Sequence, residues 1–195
     1  ILVATVGGLV WFYPDDNTEL IKFHQVRKVS GDIHSLGNND IIYIFNDNAG
    51  DIWLCTFGGG INRADFDGEN VTFEIIGTAE GLSSNIVLSA VCDPEGNIWA
   101  ATETGISKID PDTKRVINYT KYDGMLSTTF SEATCVGFEN GMIAFGTLDN
   151  VYRINPSDFT YTPEPKRLAI TGFRIDGQRI PFDSRERIMI PHDYS

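Results

Sequence analysis

The sequence predicts an all-β fold, a partial β-propeller of four-stranded antiparallel blades followed by the first strands of a β-sandwich domain. Three observations lead there. A segment recurs at a regular spacing along the chain. Each copy divides into four short β-like runs separated by turn residues. No amphipathic pattern long enough for a helix of ten or more residues interrupts them.

The repeat is read first, because periods of 20 to 50 residues mark solenoids and propellers. Asp47-Asn48-Ala49-Gly50-Asp51-Ile52-Trp53-Leu54-Cys55-Thr56 matches Asp93-Pro94-Glu95-Gly96-Asn97-Ile98-Trp99-Ala100-Ala101-Thr102, with Trp53 and Trp99 46 residues apart. A weaker copy runs Glu139-Asn140-Gly141-Met142-Ile143-Ala144-Phe145-Gly146-Thr147, with Ala144 at the Trp position. A truncated copy opens the chain as Ile1-Leu2-Val3-Ala4-Thr5-Val6-Gly7-Gly8-Leu9.

In the clearest copy, Ile86–Cys92 is the first strand, apolar and rich in β-branched residues. Asp93–Gly96 turns into a second strand, Ile98–Thr102. Glu103–Gly105 turns into a third, Ile106–Ile109, and Pro111–Lys114 into a fourth, Arg115–Tyr122. Asp123–Thr129 leads into the next copy. Gly8, Gly60, Gly105 and Asn150 share one position, which predicts a backbone of positive φ there. Asp65, Asp110 and Asn155 follow short strands and predict turns closed by their own side chains. Four strands in this span match a propeller blade.

Composition excludes several functions. The chain carries 15 Lys and Arg against 27 Asp and Glu, a formal net charge of −12. Binding to a phosphate backbone needs basic clusters, and none is present, so no nucleic-acid partner is expected. No apolar run reaches transmembrane length. Cys55, Cys92 and Cys135 are an odd number in apolar stretches and read as buried thiols. His24, His34 and His192 stand apart in sequence, and no metal or other cofactor is expected. No nucleophile elbow or phosphate loop is present, and Gly58-Gly59-Gly60 has no helix after it to receive a phosphate.

Gly50-Asp51-Ile52-Trp53-Leu54-Cys55-Thr56-Phe57-Gly58-Gly59-Gly60-Ile61, and Gly96-Asn97-Ile98-Trp99-Ala100-Ala101-Thr102 with Gly105-Ile106, resemble the two-component regulator propeller repeat. Glu80-Gly81-Leu82-Ser83-Ser84-Asn85-Ile86 and Asp123-Gly124-Met125-Leu126 resemble the family's linker between blades. The resemblance implies the extracytoplasmic sensor region of a hybrid two-component system of gut Bacteroidetes. The parent chain would then be a histidine kinase, periplasmic in this part and reaching the membrane through parts outside this sequence. The implied ligand is an oligosaccharide, bound here or elsewhere in the sensor region, and the segment itself would not be an enzyme. Residues 1–162 would be the last blades. Residues 163–195, after Pro163-Glu164-Pro165, would begin an immunoglobulin-like triple-tyrosine domain, with a hairpin at Asp176-Gly177. The alternatives are a propeller lyase or glycoside hydrolase, and a propeller that only binds protein or dimerises.

Trp53 and Trp99 could stack on sugar rings, yet recurrence at one blade position favours packing between blades. Thr56 and Thr102 read as structural for the same reason. Asp65–Asn70 looks like a calcium loop but lacks its spacing, and a plain hairpin is the simpler reading, as it is for Asp47–Asp51. Ligand contacts are expected where loops share one end of the blades. The turns between second and third strands bring Glu103, Thr104, Asp149 and Asn150 there. The linker ends bring Asn39, Asp40, Ser84, Asn85, Thr128 and Thr129. Their amide, hydroxyl and carboxylate groups suit sugar hydroxyls, and would otherwise cap strands and turns. A chain that opens in mid-strand without Met reads as a piece of a larger protein, with self-association expected through its open edge.

Overall fold

The computed structural model describes residues 1–14, 21–159, 173–175 and 178–180 of the 195. The chain divides into two compact units, Ile1–Phe159 and Thr160–Ser195.

In the first unit, β1 (Leu2–Thr5), β2 (Gly8–Trp11) and β3 (His24–Val26) form a three-stranded sheet. Two four-stranded sheets follow. One is β4 (Ile41–Asn46), β5 (Ile52–Thr56), β6 (Ile61–Asp67) and β7 (Asn70–Ile76). The other is β8 (Val87–Cys92), β9 (Ile98–Thr102), β10 (Gly105–Asp110) and β11 (Arg115–Tyr119). The last sheet contains β12 (Phe130–Gly137), β13 (Ile143–Thr147) and β14 (Val151–Ile154). Each is an antiparallel meander in chain order, the blade expected from the repeat. The repeat aligns β1 with β5 and β9, so the first blade is described from its second strand onward.

Three apolar clusters lie between successive blades. Leu9, Trp11, Leu36, Leu54 and Phe73 join the first two. Trp53, Cys55, Ile76, Val87 and Ala100 join the second and third, and Trp99, Ala101, Phe130 and Phe145 the third and fourth. The period of two does this work. Trp53 and Cys55 face forward while Leu54 faces back, and Trp99 and Ala101 face forward while Ile98 and Ala100 face back. A strand buried on both faces therefore reads as a continuous apolar run, as Ile98-Trp99-Ala100-Ala101 does.

The structure corrects four expectations. The fourth strand of the third blade stops at Tyr119, not Tyr122. Thr120 starts a 3-10 turn over Lys121–Asp123, its hydroxyl accepting from the Tyr122 N–H while the Asp123 carboxylate accepts from the Thr120 N–H at 2.8 Å. Asp65 closes no turn. It lies inside β6 opposite Thr72, and the hairpin turns at Gly68-Glu69. Asp110 does close an Asx turn, accepting from Asp112 and Thr113, but Asn155 does not cap its 3-10 turn. Asn150 lacks the positive φ of Gly8 and Gly60. The glycine requirement comes from the fourth strand. A Cβ at Gly8, Gly60 or Gly105 would stand 2.1–2.3 Å from the carbonyl oxygen of Val26, Ile76 or Tyr119.

In the second unit, β15 (Phe173–Ile175) and β16 (Gln178–Ile180) pair antiparallel with Ile175 opposite Gln178. This is the hairpin expected around Asp176-Gly177. Those two turn residues, the break at Pro163-Glu164-Pro165 and the rest of 163–195 lie outside the described residues.

Candidate functional site: the loop end of the blades

The clearest local chemistry in the repeat is a turn tied to an indole. Asp93 Oδ1 accepts from the N–H groups of Glu95 and Asn97 at 3.0 and 2.8 Å, while Oδ2 accepts from Trp99 Nε1 at 2.7 Å. Asp47 does the same for Ala49, Asp51 and Trp53 Nε1, at 2.9, 2.9 and 2.8 Å. Both indoles are fully buried, so the carboxylate satisfies a donor that would otherwise be stranded. Trp53 and Trp99 are thus interior residues, in line with packing between blades. The pairing with Asp was not anticipated, although Asp six residues before each Trp was its visible signal. Where Trp gives way to Ala144 in the fourth blade, the Asp position holds Phe138. The backbone turn survives there, with Gly141 N–H on the Phe138 carbonyl at 2.9 Å.

At the opposite end of each blade, a threonine clamps the turn between second and third strands. The hydroxyls of Thr5, Thr56, Thr102 and Thr147 donate to the carbonyls of Gly8, Gly60, Gly105 and Asn150 at 2.7, 2.8, 3.0 and 3.1 Å. The linker into the next blade is held between two such turns. Asn39 accepts from Gly8 N–H at 2.8 Å, and Asp40 from Phe57 N–H at 2.9 Å. One blade on, the Asn85 carbonyl accepts from Gly60 N–H at 2.8 Å, and the Ile86 carbonyl from Glu103 N–H at 3.2 Å. Thr129 accepts from Leu148 N–H at 3.3 Å.

The expected loop end therefore exists, and turn and linker residues meet there through backbone hydrogen bonds. Their side chains divide into two groups. Asn39 Oδ1 accepts from Lys28 N–H at 2.6 Å, Ser84 Oγ from Ile86 N–H at 3.1 Å, and Asn85 Oδ1 from Thr78 N–H at 2.8 Å. Thr104 lies 3.4 Å from the Thr102 hydroxyl, and Asn150 N–H donates to Thr147. Thr128 and Thr129 enter through their backbones, Thr129 N–H donating to Ser127 Oγ at 3.3 Å. By contrast, the side chains of Asp40, Glu103, Thr128, Thr129, Asp149 and Asn150 carry no hydrogen bond among the described residues, and Glu103, Asp149 and Asn150 are exposed.

One groove opens at this end, about 270 Å³ in volume. It lies between the two linkers and the Gly58-Gly59 turn, with Lys28, Asp32, Ser35, Thr78, Glu80 and Asn85 around it. Only Asn85 of the expected residues lines it. Its floor depends on backbone contact: a Cβ on Gly59 would lie 2.3 Å from the Gly37 carbonyl carbon. Lys28 Nζ and Asn85 Nδ2 have no partner among the described residues, whereas Glu80 already accepts from Gly77 N–H at 2.8 Å. The Ser35 hydroxyl is taken by Val29 and Asp32, so the groove offers the Lys28 ammonium, the Asp32 and Glu80 carboxylates, the Thr78 hydroxyl and the Asn85 amide, a set that exchanges hydrogen bonds with a polyhydroxylated molecule. Sequence reasoning missed Lys28 and Asp32, because the repeat begins at Ser35, and Ser35 itself, because it stands at the repeat's first position, away from the linker end beside the turns.

The cysteines are free thiols. Burial pushes Cys55 well above the usual thiol range, and Cys92 and Cys135 are also raised, chiefly by burial. Tyr43, opposite Cys55 on β4, is pushed up to about 12 by burial, with Cys135 and Cys55 adding to it. Among the described residues no helix is long and apolar enough to cross a membrane.

Residues 35–58 and 81–104 match the two component regulator propeller family. Each matched stretch runs from a linker through the innermost strand and Asp turn to the Thr clamp. Histidine kinase P4 of Formosa agariphila is 26% identical over 219 aligned residues, covering 89% of this chain and 16% of the kinase. The extracellular domain assigned to the hybrid two component system BT4673 of B. thetaiotaomicron superimposes with a TM-score of 0.63 at 26% identity, over 80% of this chain and 21% of that one. The domain assigned to system BT3049 of the same organism gives 0.50 at 23% identity over 98% of this chain and 33% of that one, a likeness of fold. The chain thus spans about a sixth of the kinase and about a fifth of the BT4673 domain. The two matched stretches carry the two-component regulator propeller repeat, as their motifs implied.

Proposed function

We propose that this chain is a non-catalytic segment of the periplasmic sensor region of a hybrid two-component histidine kinase, and that its loop end recognises an oligosaccharide to regulate glycan use. The observation that carries the reading is the polar groove at the end where rigid turns strap successive blades together. Hydrogen bonds within the two linkers fix its walls in advance, which lowers the ordering cost of binding. Its lining matches sugar hydroxyls, and the relatives above are a histidine kinase and extracellular domains of hybrid two component systems. Signalling would require that the ligand bind one arrangement of propeller and following domain more tightly than another.

Calorimetry of the complete extracytoplasmic region against an oligosaccharide panel tests this. Saturable heat that Asn85→Ala and Lys28→Ala weaken supports it. Turnover of a glycan would instead support a propeller lyase or hydrolase, and a stable dimer that binds no glycan would support a protein-interaction propeller.

A further inference from the structure

The groove at the loop end has one wall of fixed polarity. Asn85 Oδ1 accepts from Thr78 N–H at 2.8 Å, so its Nδ2 is left to donate. Glu80 Oε2 accepts from the neighbouring amide, Gly77 N–H, at 2.8 Å, so its other oxygen is left to accept. The two groups stand side by side: a Cβ on Gly77 would lie 2.7 Å from Asn85 Oδ1 and 3.5 Å from Glu80 Oε2. A free donor beside a free acceptor, both oriented by backbone, matches two adjacent hydroxyls of a sugar ring, one accepting and the other donating.

The facing linker supplies a positive charge. Lys28 is tied at its backbone, its N–H on Asn39 Oδ1 at 2.6 Å, and its side chain lines the groove. The ammonium has no partner among the described residues, whereas Lys22 pairs with Glu69, Arg63 with Asp51 and Lys114 with Glu74, and Lys108 donates to the Phe159 carbonyl at 3.5 Å. Arg27, the residue before it, reaches the turn of the first blade, with Nη2 3.8 Å from where a Gly7 Cβ would stand. An ammonium left open in a groove is available to an anionic group on a ligand.

We infer that the groove is a subsite for a uronic acid, with Lys28 holding the sugar carboxylate and the Glu80–Asn85 pair holding two adjacent ring hydroxyls. This rests on the oligosaccharide reading above and names its sugar class. In a pyranose uronic acid the carboxylate and a pair of adjacent hydroxyls lie across the ring from each other, as Lys28 and the Glu80–Asn85 pair lie on opposite linkers. Hydrogen bonds from ammonium to carboxylate are charge-assisted and stronger than those between neutral groups. The net charge of −12 acts on an anion mostly from beyond the groove, where salt screens it, whereas Lys28 acts at contact. Asp32, on the Lys28 linker, opposes the acid, and its Oδ1 already accepts from His34 N–H at 2.9 Å.

Calorimetry of the complete extracytoplasmic region tests this. Oligosaccharides from polygalacturonate and alginate are set against cello- and manno-oligosaccharides, which keep the hydroxyl pair but carry no carboxylate, and against sulfated ones from carrageenan. The expected result is that a uronic acid oligosaccharide binds about 10-fold more tightly than its neutral counterparts, or better. Lys28→Gln should weaken the acidic ligand about 10- to 100-fold with unchanged melting temperature. Asp32→Asn, which keeps the acceptor for His34, should tighten it. A neutral counterpart that binds as tightly overturns the inference and leaves the oligosaccharide reading standing, as does binding of sulfated oligosaccharides only. Acidic binding that Lys28→Gln leaves unchanged also overturns it, by placing the acid elsewhere in the sensor region. Failure of the unmodified protein to bind any member of the panel overturns both.

Discussion

The Asp93 carboxylate closes a turn with one oxygen and satisfies a buried indole with the other. Removing it strands the Trp99 N–H in a fully buried position, so Asp93→Ala should cost about 2–4 kcal/mol in urea denaturation. Part of that loss belongs to the pair. In a Trp99→Phe background, which has no indole N–H, the same substitution should cost about 1–2 kcal/mol less. Equal costs in both backgrounds would reduce Asp93 to a turn residue. Tyr43 gives a pH signature. Its phenol is pushed up to about 12, chiefly by burial, from an ordinary value near 10. The neutral form is the one the fold accommodates, so this contribution is full below pH 10 and is lost as pH rises from 10 through 12. Cys55 and Cys135, also raised, act with the same sign from about pH 9 upward. Stability should therefore fall with alkalinity, and Tyr43→Phe should flatten the decline between pH 10 and 12. At this scale the sequence revealed that Trp53 and Trp99 pack in the interior, because they recur. It also displayed the Asp partner, through the joint change to Phe138 and Ala144, but hydrogen bonding across six residues has no signature in hydrophobic period.

Between strands, the limiting contacts are those of backbone with backbone. A Cβ on Gly60 would meet the Ile76 carbonyl oxygen at 2.3 Å, and one on Gly105 the Tyr119 oxygen at 2.2 Å. Neither obstacle is the end of a flexible side chain, so alanine at either position must displace a strand, at about 3 kcal/mol or more. Gly96 has φ 90 but nothing within 4 Å of such a Cβ, so Gly96→Ala should cost only about 1–2 kcal/mol. Thermal melts of the three variants check the contrast. A similar loss in all three would mean that φ alone matters. The blade register was legible because an Asp-x-x-Gly turn and a Thr-to-Gly turn mark the two ends of the second strand. Asn150 misled because the glycine rule originates in a neighbouring strand, which position within the repeat does not encode. The early stop of β11 comes from Thr120 and Asp123, whose mutual capping overrides the β propensity of the residues between them.

Across the whole first unit, the period-two alternation leaves an apolar face at the last blade. Val136, Leu148 and Val151 are 47%, 73% and 72% exposed. Ala133, Val136, Ala144 and Val151 line a shallow groove there of about 300 Å³. The corresponding faces of the second and third blades are covered by the next blade through Trp53 and Trp99. Here Ala144 replaces the Trp, so the face is hollow as well as exposed. The blade count and strand order were readable from the repeat, whereas the groove around Lys28 was not, since it arises from linkers brought together only in three dimensions. Apolar surface of this kind is a site of association. We therefore expect the segment expressed alone to self-associate in sedimentation velocity at micromolar concentration. Val136→Lys with Val151→Lys should shift it toward monomer, because two ammonium groups would have to be desolvated at any contact. The same pair should leave the melting temperature within a few degrees, since both side chains already face solvent. A monomer in the unmodified segment, or association that survives the double substitution, would place the contact elsewhere, and the exposed face of the first blade, with Ile1 and Val3 61% and 39% exposed, would be the next surface to substitute.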